Sequence, residues 1–379
     1  MKKIIFLILI LMIPFLSVKA LELTQYSASA LLIEPTTNKI LYELNIHERR
    51  PPASMTKLMT LLLTMEALDD GRVHLDDAVT ISKNASGMGG SQVFLEENSS
   101  IKLEELIKSV ALASGNDAAV AIAEYIGGSL DEFINMMNEK VQKLGLKDTN
   151  FVNVHGLDAE NHYSSAYDMA MIAKELLKHE QILKYTSLYE DYLNKPDGTK
   201  FWLVNTNKLV RFYDGVDGLK TGYTKPAGYC LTSTAKRNNI RFITVVMGAD
   251  TSEHRSADTT SLLNYAFNTY KLNTIIKKNQ KVGTINILKG QKTKANLITM
   301  EEATDLLKQN EKKEYHYQIE TTKAIAPLKI GDKVGDLTII DNNNQVIKKI
   351  PLSLDEDIKK QNLISLYFSN LKRIITGNI

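Results

Sequence analysis

The sequence predicts an α/β (α+β) domain, an antiparallel sheet packed with helices, followed by a small all-β domain and a C-terminal amphipathic helix. Three observations carry this. Apolar runs over residues 27–34 and 39–43, parted by Pro35-Thr36-Thr37-Asn38, signal a hairpin that precedes a long, nearly all-apolar helix starting at Ser54. A second strand–turn–strand pattern spans residues 218–247 and is closed by a helix. After Leu272 the texture changes to short β-rich runs between polar turns.

Taken in order, Lys2 and Lys3 precede an apolar stretch over residues 4–16, and Val18-Lys19-Ala20 supplies a cleavage-like end. The stretch is shorter than the roughly 20 residues a bilayer core requires. Residues 1–20 therefore read as a secretory signal, with the mature chain starting near Leu21. After the first hairpin, Pro51 and Pro52 end the extended region, because proline suits only the first turn of a helix. Leu58, Met59, Leu61, Leu62, Leu63, Met65 and Leu68 surround the next helix, which should be buried on nearly all sides and end at Gly71.

Residues 101–125 hold helical spacing interrupted by Ser114-Gly115-Asn116-Asp117, a turn between two helices, and residues 167–183 are again helical. Strands follow over 218–223, 228–235 and 241–247, with a turn at 237–239. Leu262, Leu263, Ala266, Phe267 and Tyr270 mark a closing amphipathic helix. The expected division is a catalytic domain over 21–272, a β-rich domain over 273–357 and a tail over 358–379. In that tail Leu363, Ile364, Tyr367, Phe368, Leu371, Ile374 and Ile375 recur at helical spacing beside Lys372 and Arg373. Such a tail suits a membrane surface; the plainer reading packs it on the β domain.

A chain of 379 residues with 44% apolar and 24% charged residues is an ordinary globular composition, which excludes disordered and collagen-like classes. The net charge of +2 makes no case for nucleic-acid binding. Cys230 is the one cysteine, so no internal disulfide and no thiolate metal cluster can form; its place in an apolar strand marks it as a small buried residue.

Three motifs carry chemistry: Ser54-Met55-Thr56-Lys57, Ser114-Gly115-Asn116 and Lys220-Thr221-Gly222. Singly they are weak. S-x-x-K also occurs at Ser99, Ser233 and Ser369, and a serine-x-asparagine also at Ser82. K-T-G occurs once, however, and Ser54 alone has both other elements downstream at domain-scale separations and sits at the start of a long apolar run. In this order the set is a described signature of serine β-lactamases and penicillin-binding proteins.

The chemistry follows from the residue types. Ser54 and Lys57, three apart on a helix, share one face. Serine needs a base to take its proton, and Lys57 serves only if neutral, which takes about 4 kcal/mol of differential stabilisation against its proton. Burial supplies part of this and Lys220, a second cation, the rest. Ser54 at a helix start also favours a developing oxyanion. Ser114 offers a hydroxyl that relays a proton, and Asn116 an amide that holds a substrate peptide group. Lys220 and Thr221 suit a carboxylate, while Gly222 clears space for a substrate strand at a sheet edge. Each residue alone has a plainer role: a helix cap at Ser54, a turn at Ser114, a hairpin end at Gly222.

The chain closely resembles the serine D-alanyl-D-alanine carboxypeptidases, the low-molecular-weight penicillin-binding proteins. The likeness rests on Pro52-Ala53-Ser54-Met55-Thr56-Lys57-Leu58-Met59-Thr60, Gly89-Gly90-Ser91, Ser114-Gly115-Asn116-Asp117, Asn153-Val154-His155-Gly156-Leu157, His162-Tyr163-Ser164-Ser165 and Asp217-Gly218-Leu219-Lys220-Thr221-Gly222. It implies a penicillin-recognising, serine transpeptidase/β-lactamase-like domain, a β-rich second domain and an amphipathic membrane anchor. It implies that Ser54 is acylated by the penultimate D-alanine carbonyl of a peptidoglycan stem peptide ending in D-Ala-D-Ala, and that β-lactams inhibit the enzyme. By the same resemblance Lys57 is the base, Ser114 the proton relay and Asn116 a substrate clamp. Lys220, Thr221 and Arg255 hold the terminal carboxylate, and the backbone N–H groups of Ser54 and Tyr223 form the oxyanion hole. Many relatives carry histidine where Tyr223 stands. No cofactor or metal is implied. The expected location is beyond the cytoplasmic membrane, on its periplasmic face, attached peripherally.

Rival readings fare worse. Glu190-Asp191-Tyr192-Leu193-Asn194 spells the E-x-x-L-N pattern of class A β-lactamases, but it lies far from Ser114 and close to Lys220, so a slowly hydrolysed penicillin acyl-enzyme is expected. His155, Asp158 and His162 suggest zinc only loosely, because no H-E-x-x-H element accompanies them. A crosslink-cutting D,D-endopeptidase and a non-catalytic wall-peptide-binding protein are the remaining alternatives.

Overall fold

Both faces of the first strand are buried, and this sets the layering. In the computed structural model, which describes residues 22–362 together with Ile364, Tyr367 and Ile375, β1 (Ser29–Glu34) pairs antiparallel with β2 (Lys39–Leu44). The Glu34 carboxylate accepts hydrogen bonds from the N–H groups of Thr36 and Thr37 at 2.9 and 2.7 Å, which closes the turn. Side chains alternate across a strand. Leu31 and Ile33 therefore join one apolar cluster, Ala30 and Leu32 another, and the run reads as continuously apolar.

The chain then makes a 3₁₀ turn over Ala53–Thr56 and enters α1 (Lys57–Asp69). This corrects the expected start: Ser54 sits in the 3₁₀ turn ahead of the α-helix, and its side chain caps nothing. Ten of the thirteen α1 residues are buried, as the all-round apolar pattern predicts, and Thr60 and Thr64 are accommodated because their hydroxyls donate to the carbonyls of Val154 and Thr60.

Next come β3 (Ala78–Thr80), α2 (Lys83–Ser86), β4 (Ser100–Lys102), α3 (Leu103–Ala111) and α4 (Asn116–Gly127). α5 (Leu130–Lys143) was not anticipated, although its signals are present. Ser129 caps it, Asp131 and Glu132 occupy its first turn, Lys140 and Lys143 its last, and Phe133, Met137 and Val141 form its buried stripe. The helix expected over 167–183 is also interrupted. α6 (Ala166–Leu176) stops, His179 leaves helical geometry at φ −94°, ψ 73°, and a 3₁₀ turn over Glu180–Ile182 leads into α7 (Leu183–Thr186).

β5 (Glu190–Asn194) pairs with β6 (Lys200–Val204), and there Glu190 accepts from Trp202 Nε1 at the surface. After α8 (Leu209–Phe212) the chain runs through β7 (Val216–Thr224), β8 (Gly228–Arg237), β9 (Ile240–Ala249) and α9 (Ser252–Thr269). The strand order β2-β1-β9-β8-β7 gives a five-stranded antiparallel sheet with β7 at one edge. Residues of α1, α3, α4, α5 and α6 cover one face; Leu262, Leu263 and Ala266 of α9 cover the other. Cys230, opposite Gly222 in the β7–β8 pairing, is fully buried, and burial pushes its thiol up to about 11.

α9 passes straight into β10 (Tyr270–Ile276), followed by β11 (Lys281–Asn286), β12 (Lys294–Thr299), β13 (Ala303–Lys308), β14 (Tyr315–Thr321), β15 (Gly335–Asp341) and β16 (Val346–Leu354). β10 pairs with β13, and a second five-stranded sheet has the order β11-β12-β16-β15-β14. Its core, including Leu297, Leu337, Ile339, Ile350 and Leu352, is separate from those of the first sheet. The signal segment expected over 1–20 and most of the tail beyond residue 362 lie outside the described residues; Ile364, Tyr367 and Ile375 are helical and exposed. Among the described residues no helix is long and apolar enough to cross a membrane.

Candidate active site

The competing serines are accounted for first. Ser82 caps α2, accepting from Ala85 N; Ser99 donates to Glu96 O and Ser233 to Gly218 O, while Ser369 lies outside the described residues. Ser54 differs. Its Oγ has one hydrogen-bond partner among the described residues, Lys57 Nζ at 2.9 Å.

Lys57 is fully buried, and its Nζ also reaches Asn116 Oδ1 and the His155 carbonyl, both at 2.7 Å. Those two oxygens are pure acceptors, so they take both N–H bonds of a neutral amine. The lone pair is then left for the Ser54 hydroxyl proton. Burial, and next the charge of Lys220, hold the Lys57 pKa well below 10.5, with Asp117 pulling weakly the other way. The same surroundings that orient the amine also favour its neutral form.

Three loops build this pocket. Gly156, at φ +90°, lets residues 153–157 press on the Ser54 turn; a Cβ there would lie 1.9 Å from Ala53 O. Asn153 Oδ1 accepts from Gly156 N at 2.6 Å, which orients the His155 carbonyl. At the start of α4, buried Asp117 accepts from the N–H groups of Val93 and Leu95, and Asn116 N donates to Ser91 O, so residues 89–95 are strapped beside Ser114. His162, one of the suspected metal ligands, instead accepts from Val152 N at Nδ1 and bonds Thr56 Oγ1 at Nε2.

Asn116 does more than the substrate clamp expected of it. Its carbonyl accepts from Lys57 and one Nδ2 hydrogen is donated to Gly89 O at 2.7 Å, so the buried amide orients the base as well as leaving one N–H for a substrate. Gly222 departs from its expected role. A Cβ there would lie 2.8 Å from Pro52 O and 3.2 Å from Ser54 N, so the missing side chain admits the serine turn rather than a substrate. The same contact sets Ser54 against the open edge of the sheet.

A cleft of about 530 Å³ runs past Ser54, lined among others by Ser114, Thr221, Tyr223 and Arg255. Ser114, at φ +61°, has a buried hydroxyl without a hydrogen-bond partner among the described residues. Tyr223 is exposed and packs its ring on Tyr229, 4.3 Å between centroids. Thr221 Oγ1 donates to Thr206 Oγ1 at 2.7 Å. Behind it Lys220 is buried, its Nζ donating to Thr221 O, and burial followed by the Arg255 charge lowers its pKa to about 7. Lys57, Lys220 and Arg255 form no ion pair among the described residues, and Arg255 Nε is buried without a partner. This end of the cleft is chemically suited to an anion. Thr206, Ser91, Tyr229 and Phe212 were not anticipated as cleft residues; Ser91 stood in a motif, but the other three carry no sequence signal.

Comparison with known proteins agrees with this geometry. The family model described as D-alanyl-D-alanine carboxypeptidase matches residues 17–251, and the penicillin-binding protein 5 C-terminal domain model matches residues 270–360. The chain is 48% identical to the D-alanyl-D-alanine carboxypeptidase DacF of Bacillus subtilis (strain 168), over 91% of this chain and 89% of that one. It is similar in structure to penicillin-binding protein 5 of Haemophilus influenzae (TM-score 0.74, 32% identity, 89% of this chain and 98% of that one). The peptidoglycan synthesis regulatory factor PBP3 of Streptococcus pneumoniae is comparable, with a TM-score of 0.76 and 29% identity over 89% of this chain and 100% of that one.

Proposed function

Because the chain belongs to the D-alanyl-D-alanine carboxypeptidase family, we propose that Ser54 is the nucleophile with which it removes the terminal D-alanine of a peptidoglycan stem peptide. The protein is a serine-type carboxypeptidase, a hydrolase of the penicillin-binding class. The observation that carries the residue assignment is the three-way contact of Lys57 Nζ with Ser54 Oγ, Asn116 Oδ1 and His155 O.

Lys57 takes the Ser54 proton as Oγ attacks the penultimate D-alanine carbonyl. The backbone N–H groups of Ser54 and Tyr223 hold the oxyanion. Ser114 passes the proton to the departing amine nitrogen, which the lone hydroxyl beside the nucleophile suits. The C–N bond breaks, D-alanine leaves, and water, deprotonated by the same base, releases the shortened peptide. Lys220, Thr221 and Arg255 bind the terminal carboxylate, while Asn116 acts as a positioning residue for Lys57. A β-lactam is attacked in the same way, but its amine stays tethered after ring opening, so the acyl-enzyme persists.

Peptidoglycan lies outside the cytoplasmic membrane, and the enzyme acts there. Residues 1–20 serve as the export signal, and the domains run over 21–272 and from 273 to Gln361. Ile358 is buried in the β-domain core and Gln361 N bonds Lys289 O, so the tail begins after Gln361 and not at 358. Beyond that point it lies on the outer surface of the cytoplasmic membrane, supported by its apolar–basic spacing and by the exposure of Ile364, Tyr367 and Ile375. D-alanine release from diacyl-lysyl-D-alanyl-D-alanine by the wild type and by Ser54→Ala tests the catalytic assignment. Release abolished by the substitution supports it; release that survives overturns it.

A further inference from the structure

The second sheet has two unlike ends. At one, Lys313 bridges Asp305 of β13 and Asp341 at the end of β15, next to the β10–β13 pair that leads from the catalytic core. At the other, three segments are knitted together. Leu288 N and Ala326 N bond across to Ala324 O and Leu288 O, Leu328 and Ile358 exchange both backbone bonds, and Gln361 N donates to Lys289 O. The tail leaves the domain from this second end.

The charges there are unevenly committed. Asp332 accepts from Lys329 N, Asp357 from Ile330 N and Asp355 from Asn296 Nδ2, while Glu356 pairs with Lys292. Glu356 is thus charge-paired, while the three aspartates keep their charge but are tied to the loops by neutral N–H groups. Lys289, Lys323, Lys329 and Lys360 are exposed and form no ion pair among the described residues. Ile325 and Ile330, 44% and 59% exposed, belong to the same segment as Lys323 and Lys329, and Ile325 is bridged to Leu288 beside Lys289.

We propose that this end of the β domain is a second membrane-contact surface, in which the lysines meet anionic lipid headgroups and Ile325 and Ile330 enter the boundary with the acyl chains. The inference rests on the membrane reading of the tail and extends it to a different part of the fold. A soluble polyanion would be satisfied by the lysines alone; the isoleucines of the same segment favour lipid. The site where the tail emerges already holds this surface close to any bilayer the tail occupies.

The test uses the full mature chain with vesicles of phosphatidylcholine, with and without phosphatidylglycerol. Lys323→Glu with Lys329→Glu is expected to weaken partition onto the anionic vesicles by about tenfold or more, in line with two lysines near such a surface. Ile330→Glu is expected to weaken it on both compositions. Unchanged D-alanine release from a soluble peptide reports that the catalytic domain is folded, and an unchanged circular dichroism spectrum and melting profile that the β domain is. If both variants partition like wild type while Ile364→Glu with Ile375→Glu does not bind, the tail alone anchors the protein and the proposal fails. Loss with the lysine variant but not with Ile330→Glu also overturns it, in favour of a polyanion surface. No partition by the wild type would sink the tail reading and this one together.

Discussion

Lys57 Nζ lies 2.9 Å from Ser54 Oγ while two carbonyl oxygens occupy its other directions. A cation that cannot lose its proton should fail here. Lys57→Arg keeps a charge but has no accessible neutral form, so acylation by a fluorescent penicillin should slow by about 100- to 10,000-fold. A rate near wild type would mean that charge, and not proton acceptance, is what this position supplies.

The two buried lysines give opposite pH limbs. Acylation needs Lys57 neutral, so kcat/KM rises with pH along a limb well below 10.5. Carboxylate binding needs Lys220 charged, so KM climbs as pH passes about 7. A bound carboxylate raises that pKa, and the fall in kcat should therefore come at higher pH than the fall in kcat/KM. For stability, a lysine whose folded pKa is lowered holds fewer protons than in the unfolded chain between about 7 and 10.5, so stability rises with pH across that window. Chemical denaturation at pH 7 and pH 9 reads this directly, and Lys220→Met should flatten the slope.

Asn116→Ala frees one Lys57 N–H and leaves Gly89 O unpaired. A positioning role predicts a loss in kcat of about 100-fold with little change in KM, since a misplaced base costs about that much. A rise in KM alone would leave only the role of substrate clamp. Asn116→Asp sets a carboxylate on Lys57, which holds its proton, so the rising limb should move to higher pH.

Gly156→Ala puts a methyl group 1.9 Å from Ala53 O at a backbone angle of φ +90°. About 1–3 kcal/mol of backbone strain is expected, with further cost from moving the Ser54 turn. Both the denaturation midpoint and the penicillin acylation rate should drop. A variant with wild-type values of each would show that the loop yields without moving the serine.

The sequence disclosed what repeats or contrasts along the chain. The hairpin before Pro51, the all-apolar α1 and the β7–β9 meander follow from periodicity and turn residues, and three short motifs picked out Ser54 among four candidates. What it withheld depends on long-range packing. No local pattern shows that Gly222 faces the serine turn, that Asn116 bonds both Lys57 and Gly89, or that Thr206 reaches Thr221. Ser54 was expected to open an α-helix, but a 3₁₀ turn precedes that helix and Ser54 sits within it. α5 is a different kind of miss, because cap, charges and stripe were all present.

Cys230 offers a built-in clock. Its thiol is fully buried directly across from Gly222, beneath the nucleophile's turn, and no other cysteine competes for reagent. The rate at which a thiol probe modifies the native protein therefore times the opening of the β7–β8 pair, without any substitution in the molecule. Slower modification after penicillin treatment would report, from inside the sheet, that acylation at Ser54 tightens the strands beside it.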